Sequence, residues 1–116
     1  MSVTVYGIKA CDTMKKAFTW LDQQGIDYHF HDYKKEGAPE AALRRWITAL
    51  GWDVVINRRG TTWRKLPEGL RNSMDAEKAV QAALDNPSLI KRPMLETGKL
   101  VEAGFKPERY ADIFSR

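Results

Sequence analysis

The sequence predicts an α/β fold, in which a mixed sheet of βαβ…ββα order carries a helical insert between its two halves. Three observations predict this fold. A β-rich apolar run over residues 3–8 and an aromatic-rich run over residues 26–33 flank one helical repeat. Helical patterns fill the middle of the chain, and two short apolar runs around a turn precede a last helical repeat. Strands joined by one helix pair in parallel and hairpin strands pair antiparallel, so the sheet is mixed.

The first half of the fold is a strand, a helix and a strand. Residues 3–8 form the first strand, and the helix runs from about residue 12 to residue 24, with Gly25 as its C-terminal cap. Residues 26–33 form the second strand, which a right-handed crossover places beside the first. The apolar residues of the helix repeat at helical spacing, at Met14, Ala17, Phe18 and Leu21.

The insert, about residues 38–88, begins after a charged turn over residues 34–39. Pro39 fits the first position of a helix that ends at Gly51. The apolar residues of that helix again fall at helical spacing, at Leu43, Trp46, Ile47 and Leu50.

The rest of the insert is less regular. Residues 52–56 are apolar but too few to distinguish a helix from a strand, and residues 57–66 form a basic loop or a short helical piece. Asp75 is a candidate N-cap of a helix that Asn86 and Pro87 end. One face of this helix carries Ala76, Ala79, Val80, Ala83 and Leu84.

The second half of the fold is a hairpin followed by a helix. Residues 96–99 resemble a hairpin turn, and residues 100–103 form the returning strand. Pro107 opens the last helix, whose inward residues are Tyr110, Ile113 and Phe114.

This order of elements, with a cysteine directly after the first strand, resembles the thioredoxin-like arrangement. In such folds a cis-proline before the third strand faces the thiol, and Pro93 occupies that position. A peptide bond before proline accepts the cis form far more readily than other bonds do. The resemblance therefore implies a cis bond between Arg92 and Pro93.

Length and composition indicate a single soluble domain over residues 1–116, expected to be a monomer. The chain has one cysteine, so its fold needs no internal disulfide, which fits a reducing cytoplasm. The N-terminus lacks the pattern of a signal peptide, and no apolar run approaches the roughly 20 residues of a membrane span. The net charge of +4 is spread along the chain. It suits a small anionic ligand, whereas direct nucleic-acid binding needs a denser basic stripe.

The single cysteine, Cys11, lies where the first strand gives way to a helix. The free N–H groups of a first helical turn favour an anion, and Lys9 and Lys15 add positive potential. This environment lowers the pKa of a thiol and makes it reactive. Asp12 acts in the opposite direction, because its carboxylate raises that pKa. The alternative is a buried, inert structural cysteine.

His29 and His31 alternate along the second strand and share one of its faces. Neither a cysteine nor a clear set of carboxylates completes a metal site with them. We therefore predict no metal site.

Three segments identify the chain as similar to the arsenate reductase (ArsC)-like family of thioredoxin-fold proteins. They read YGIKACDTMKKAFTWL at the start, INRRGTTWRKL in the middle and LIKRPML near the end. The match is closest to the small bacterial YffB branch, which is related to the Spx-type transcription regulators. The segments occur in the family's order and cover nearly the whole chain.

The resemblance implies that Cys11 is the nucleophilic thiol. It implies that Arg92 and an arginine of the middle segment bind the anionic substrate. We prefer Arg59 to Arg58 for the second role, because Arg59 directly precedes the GTTW run. Pro93 completes the expected site.

The chain departs from the family pattern at two positions. Members often carry Ser or Cys three residues after the nucleophile, where this chain has Met14. An arginine near the start of the last helix in the arsenate reductases themselves has no counterpart, and Lys106 is the nearest residue. Lysine is a point charge and not a bidentate fork, which weakens oxyanion recognition.

These features predict a glutathione-dependent thiol reductase with one nucleophilic cysteine and no tightly bound cofactor. Without a second cysteine, an outside thiol must release the covalent adduct, and glutathione is the simplest candidate co-substrate. A small thiol or an oxyanion is the expected substrate. The alternatives are arsenate reduction proper and a Spx-like adaptor that binds a protein partner.

Overall fold

The computed structural model describes residues 2–116 of the chain. The described residues divide into two compact units, the first running up to Asp32 and again from Arg92 onward, the second covering Tyr33–Lys91. In chain order the elements are β1 (Val3–Gly7), α1 (Asp12–Gln23), β2 (His29–Asp32), α2 (Tyr33–Glu36), α3 (Glu40–Leu50), α4 (Trp52–Val55), α5 (Thr61–Arg64), α6 (Glu68–Asn72), α7 (Ala76–Asp85), a 3₁₀ turn (Pro87–Leu89), β3 (Met94–Thr97), β4 (Leu100–Ala103) and α8 (Pro107–Phe114).

The first unit contains a four-stranded sheet in the order β2-β1-β3-β4. β1 pairs with β2 in parallel and with β3 antiparallel, and β3 and β4 form an antiparallel hairpin. In this register Val5 lies opposite both Phe30 and Leu95. The sheet is therefore mixed, and the βαβ and ββα halves form the predicted thioredoxin-like arrangement.

The core of the first unit lies between one face of this sheet and the helices α1 and α8. Val3 and Val5 project from β1 toward this core, because alternate residues of a strand face the same side. The Tyr110 ring of α8 packs edge-on against Trp20, with ring centroids 5.8 Å apart. Burial raises the pKa of the Tyr110 hydroxyl, which is consistent with a packing role. The other buried members of this cluster are Met14, Ala17, Leu21 and Leu95.

β2 begins at His29, three residues later than predicted, because part of the preceding backbone forms the C-terminal cap of α1. Gly25 has φ of +67° and closes α1 in a Schellman motif. Its N–H donates to the Asp22 carbonyl at 3.1 Å, and the Ile26 N–H donates to the Leu21 carbonyl at 3.0 Å. Ile26 therefore packs on the core without pairing in the sheet.

The second unit begins with a helical turn, α2, where the sequence predicted only an irregular turn. Tyr33 is buried, and its carbonyl accepts the N–H of Gly37 at 2.9 Å. Pro39 caps α3 instead of occupying its first position, and Gly51, with φ of +92°, ends it. The buried face of α3 consists of Ala42, Leu43, Trp46 and Ile47.

The remaining insert is a series of short helices. The ambiguous segment after Gly51 is helical, and the basic segment contains the single turn α5. α6 was not predicted individually. Asp75 caps α7 as predicted, since its carboxylate accepts the Lys78 N–H at 2.8 Å. None of the helices found within residues 2–116 has the length and apolar character needed to cross a membrane.

Candidate active site

Cys11 occupies the N-cap position of α1, with an extended backbone at φ −136° and ψ 131°. Its carbonyl accepts the first helical hydrogen bond, from the Lys15 N–H at 3.0 Å. The side chain is partly buried and packs against the core of the first unit. The thiol therefore lies at the helix N-terminus that the sequence predicts.

Opposing influences set the pKa of the Cys11 thiol. Burial is the largest single influence and raises the pKa. The backbone N–H of Met14, a hydrogen bond from the Arg92 side chain, the backbone N–H of Thr13 and the positive charge of Arg92 all lower it. Together the lowering influences prevail, so the pKa lies below the ordinary value of a cysteine. The direction of the pKa shift, which the sequence left open, is therefore downward.

The backbone contribution to this stabilisation is electrostatic. The Cys11 side chain makes no capping hydrogen bond of standard geometry to the first turn of α1. The N–H groups of Thr13 and Met14 nevertheless carry the partial positive charge of a helix N-terminus. We attribute their effect on the thiolate to this charge.

Arg92 and Pro93 lie directly before β3, on the chain segment that faces the end of β1. The Arg92–Pro93 peptide bond is cis, as predicted. Pro93 is buried, and its carbonyl accepts the Gly104 N–H at 2.8 Å. The next residue, Met94, pairs with Tyr6 of β1. Strand pairing therefore fixes the segment that presents Arg92 to the thiol.

Met14 does not belong to the solvent-facing part of the site. Its side chain is fully buried and is part of the core cluster. The position that often carries a Ser or Cys in this family is therefore filled here by an apolar side chain directed into the core. Neither a resolving thiol nor a hydroxyl donor is present at this position.

The lysines near the site are exposed to solvent. Lys9 lies in the connection after β1, and Lys15 lies in the first turn of α1. Their predicted role in tuning the thiol stays a prediction. Lys106 caps α8 and is exposed, and the neighbouring Arg109 pairs with Glu102 at 3.1 Å.

Arg58 and Arg59 belong to the second unit, and both side chains are exposed. The guanidinium carbon of Arg58 lies 5.6 Å from the centroid of the Trp52 ring. The Arg59 N–H donates to the Asn57 side chain at 3.2 Å, and the Arg59 carbonyl accepts from Arg64 at 2.7 Å. These contacts shape the loop locally, and the anion-binding role of either arginine stays a prediction.

Metal-ligating side chains do not cluster in the part of the chain that the structure describes. No group of three or more His, Cys, Asp or Glu side chains is placed to hold an ion there. The ring of His31 lies 5.1 Å from the ring of Tyr6, on the neighbouring strand.

Two residues near the thiol were not singled out by the sequence. Thr13 acts through its backbone N–H, which every residue except proline has, so its type carries no signal. Gly7 ends β1 and is in close contact with Met14. The only signal of this contact in the sequence was a glycine at the end of a strand.

Comparisons with known proteins agree with this architecture. The sequence model of the ArsC family matches residues 6–113. A solved YffB protein is 52% identical, superposes with a TM-score of 0.93, and the match covers 96% of this chain and 97% of that one. An arsenate reductase (ArsC) related protein from Brucella melitensis is also 52% identical, with a TM-score of 0.78, covering 100% of this chain and 97% of that one.

A more distant relative is a transcription regulator. The global transcriptional regulator Spx of Listeria innocua is 26% identical over 116 residues, covering 98% of this chain and 88% of the regulator. The family match spans nearly all of the chain, including the end of β1, the Cys11 turn and the Arg92–Pro93 segment. The chain therefore belongs to the ArsC family.

Proposed function

We propose that this protein is a glutathione-dependent thiol reductase that works through Cys11 alone. The observation that carries the proposal is the placement of Cys11 at the N-terminus of α1, together with Arg92 on the cis-proline segment, whose guanidinium lowers the pKa of the thiol. A thiolate is the nucleophilic form of cysteine, and a cation with a helix N-terminus stabilises it.

The proposed reaction has two thiol–disulfide exchange steps. The Cys11 thiolate attacks the glutathione sulfur of a mixed disulfide, forms a Cys11–glutathione disulfide and releases the substrate as a thiolate, which takes up a proton. The thiolate of a second glutathione then attacks the glutathione sulfur of that adduct. This step restores the Cys11 thiolate and releases oxidised glutathione. In sum, the mixed disulfide and one reduced glutathione become the free substrate thiol and oxidised glutathione, so each turnover consumes one reduced glutathione.

Arg92 is suited to both steps. Its guanidinium stabilises the Cys11 thiolate before attack and again when Cys11 is the leaving group. It also provides donors for a glutathione carboxylate. Arg59, with Arg58 as its alternative, is a second predicted anion binder, and its alanine variant would raise the KM for glutathione if the prediction is correct.

The test is glutathione-dependent reduction of a small mixed disulfide of glutathione, coupled to the reduction of the oxidised glutathione produced. We expect Cys11→Ser to abolish the turnover. Arg116→Ala removes an exposed arginine at the C-terminus and serves as the control, with full activity expected. Turnover by Cys11→Ser equal to that of the wild type would refute the proposal.

Arsenate reduction is the second candidate, and the name of the Brucella melitensis relative supports it. Reduction of arsenic(V) to arsenic(III) takes two electrons, which two glutathione thiols would supply as they form a disulfide. Met14 and Lys106 stand where the family often has a polar donor and an arginine, which weakens this candidate. Absence of glutathione-dependent turnover at millimolar arsenate would eliminate it.

The similarity to Spx supports a third candidate, a transcription-associated adaptor that binds a protein partner. This candidate rests on the name of the relative and on the match along nearly the whole chain. A pull-down with purified RNA polymerase subunits tests it directly. Failure to retain any subunit would count against the adaptor and leave the reductase proposal untouched.

A further inference from the structure

Gly7 and Met14 are in close contact at the point where β1 faces the first turn of α1. Gly7 lies on the same side of β1 as Val3 and Val5, which face the core. A β-carbon built on Gly7 would lie 2.7 Å from Met14 Cε, and still closer to Met14 Sδ. The Met14 side chain therefore occupies the space that any larger residue at position 7 would need.

Met14 is also the anchor of the segment that carries the thiol. Among residues 8–15, only Met14 is buried, and its exposed fraction is 0%. The connection through Lys9 and Ala10 is exposed and offers no buried contact to hold the turn. Met14 therefore provides the fully buried contact that holds this turn against the sheet, beside the partly buried Cys11.

The same residue contributes to the electrostatics at the thiol. The backbone N–H of Met14 is the strongest of the influences that favour the Cys11 thiolate. A small displacement of the first turn would move this N–H away from the sulfur. The side chain and the backbone of Met14 are therefore coupled through the position of one helical turn.

We propose that Gly7 and Met14 are positioning residues for the Cys11 thiol. Because Gly7 has no side chain, there is room for Met14, and Met14 holds the first turn of α1 against β1. The proposal rests on the proposed function, since it assumes that Cys11 is the reactive group. Neither residue touches the substrate. They act by fixing the position of the backbone N–H groups in the first turn of α1.

The test is the pH dependence of Cys11 alkylation by iodoacetamide in Met14→Ala and in Gly7→Ala, read by intact mass. We expect both variants to raise the midpoint, each by about half a pH unit or more, because the helix N-terminus is less well placed. The double variant should shift no further than the larger single shift, because both changes break one contact. Met14→Leu conserves the volume and should keep the wild-type midpoint.

Leu21→Ala is the matched control. Leu21 is equally buried in the same helix but lies about two turns beyond Met14 and nearly three turns from Cys11. We expect Leu21→Ala to lower the thermal midpoint of unfolding and to leave the alkylation midpoint unchanged. A thermal melt of every variant establishes that it is folded at the temperature of the alkylation.

The proposal is overturned if a folded Met14→Ala or Gly7→Ala keeps the wild-type alkylation midpoint, or if Leu21→Ala shifts it as much. Alkylation needs no glutathione and no substrate. A wild-type protein without reductase activity would therefore refute the proposed function alone, while the shifts in midpoint would still decide the role of Gly7 and Met14.

Discussion

Cys11 experiences desolvation and positive potential at once. Burial of the sulfur disfavours its charged form, and the first turn of α1 together with Arg92 favours it. Asp12, expected from the sequence to oppose the thiolate, is exposed to solvent, and water of high dielectric constant weakens the effect of its charge on the thiol. The reactivity of the thiol thus depends on backbone geometry and on one cationic side chain.

Removing Arg92 should make the thiol less acidic. In Arg92→Ala the thiolate loses a hydrogen bond and a neighbouring positive charge, so we expect the pKa of Cys11 to rise by about one unit. At neutral pH the thiolate fraction, and with it the alkylation rate, would fall by up to about tenfold. Thiolate absorbance in the ultraviolet, followed as a function of pH, measures the change. Arg92→Lys keeps the positive charge, so its Cys11 pKa should lie between that of the wild type and that of Arg92→Ala.

The lowered pKa of Cys11 also predicts how the stability of the fold depends on pH. The folded state holds Cys11 at a lower pKa than the unfolded chain, so the thiolate stabilises the fold above the unfolded pKa of about 8.5. This stabilisation is lost as the pH falls through the folded pKa. The free energy of unfolding of the wild type, relative to Cys11→Ser, should therefore increase as the pH rises through the folded pKa of Cys11 towards the unfolded value of about 8.5. Urea unfolding at several pH values measures it, and a decrease would contradict the account.

At the scale of the elements, α1 connects sequence to site at both of its ends. The helical repeat of Met14 and Leu21 and the glycine at position 25 were sufficient to predict where α1 begins and ends. β2 was predicted too long because Ile26 and Tyr28 are β-rich in type, while the backbone of Ile26 completes the cap of α1. A helix cap of this kind depends on a backbone conformation, and the spacing of apolar residues in the sequence does not indicate that conformation.

The cap of α1 gives a prediction with an internal contrast. Gly25 has φ of +67°, so Gly25→Ala should destabilise the fold by about 1 kcal/mol through backbone strain, although its β-carbon would meet open space. Gly69 lies within α6, also faces open space and has no positive φ. Gly69→Ala should be neutral or stabilising by up to about 1 kcal/mol, because alanine favours a helix. Chemical denaturation measures both, and equal effects would contradict the backbone argument.

Short helices limited what could be predicted of the insert. α2, α4 and α5 have four residues each, about one helical turn, so no periodic repeat distinguishes them from turns. The longer helix α3 was predicted from its apolar repeat, and α7 from its cap at Asp75. At the candidate site, the position of Cys11 at the start of α1 and the cis bond between Arg92 and Pro93 could be predicted. The contact of Gly7 with Met14 could not, since it requires the packing of α1 on β1.

At the scale of the whole molecule, one cysteine in 116 residues restricts the chemistry to a single covalent adduct. No internal disulfide can form, so release of the adduct depends on an outside thiol. The net charge of +4 favours the approach of an anionic thiol such as glutathione. The Cys11 turn, the Arg92–Pro93 segment and the sheet that supports them all belong to the first compact unit.

Oxidised glutathione should therefore modify the protein once per chain. Intact mass after incubation should show one glutathione adduct on the wild type and none on Cys11→Ser. Addition of reduced glutathione should remove the adduct, because its thiolate attacks the mixed disulfide. An adduct that persists in excess reduced glutathione would contradict a one-cysteine cycle.

The most direct test of the central claim is the pH dependence of Cys11 alkylation by iodoacetamide in the wild-type protein, with and without glutathione. We predict a midpoint well below the value of about 8.5 for a free cysteine, together with protection by glutathione. That result would establish an activated thiol beside a glutathione site. A midpoint at or above about 8.5 without protection would contradict the account, since Cys11 would then be neither activated nor adjacent to bound glutathione.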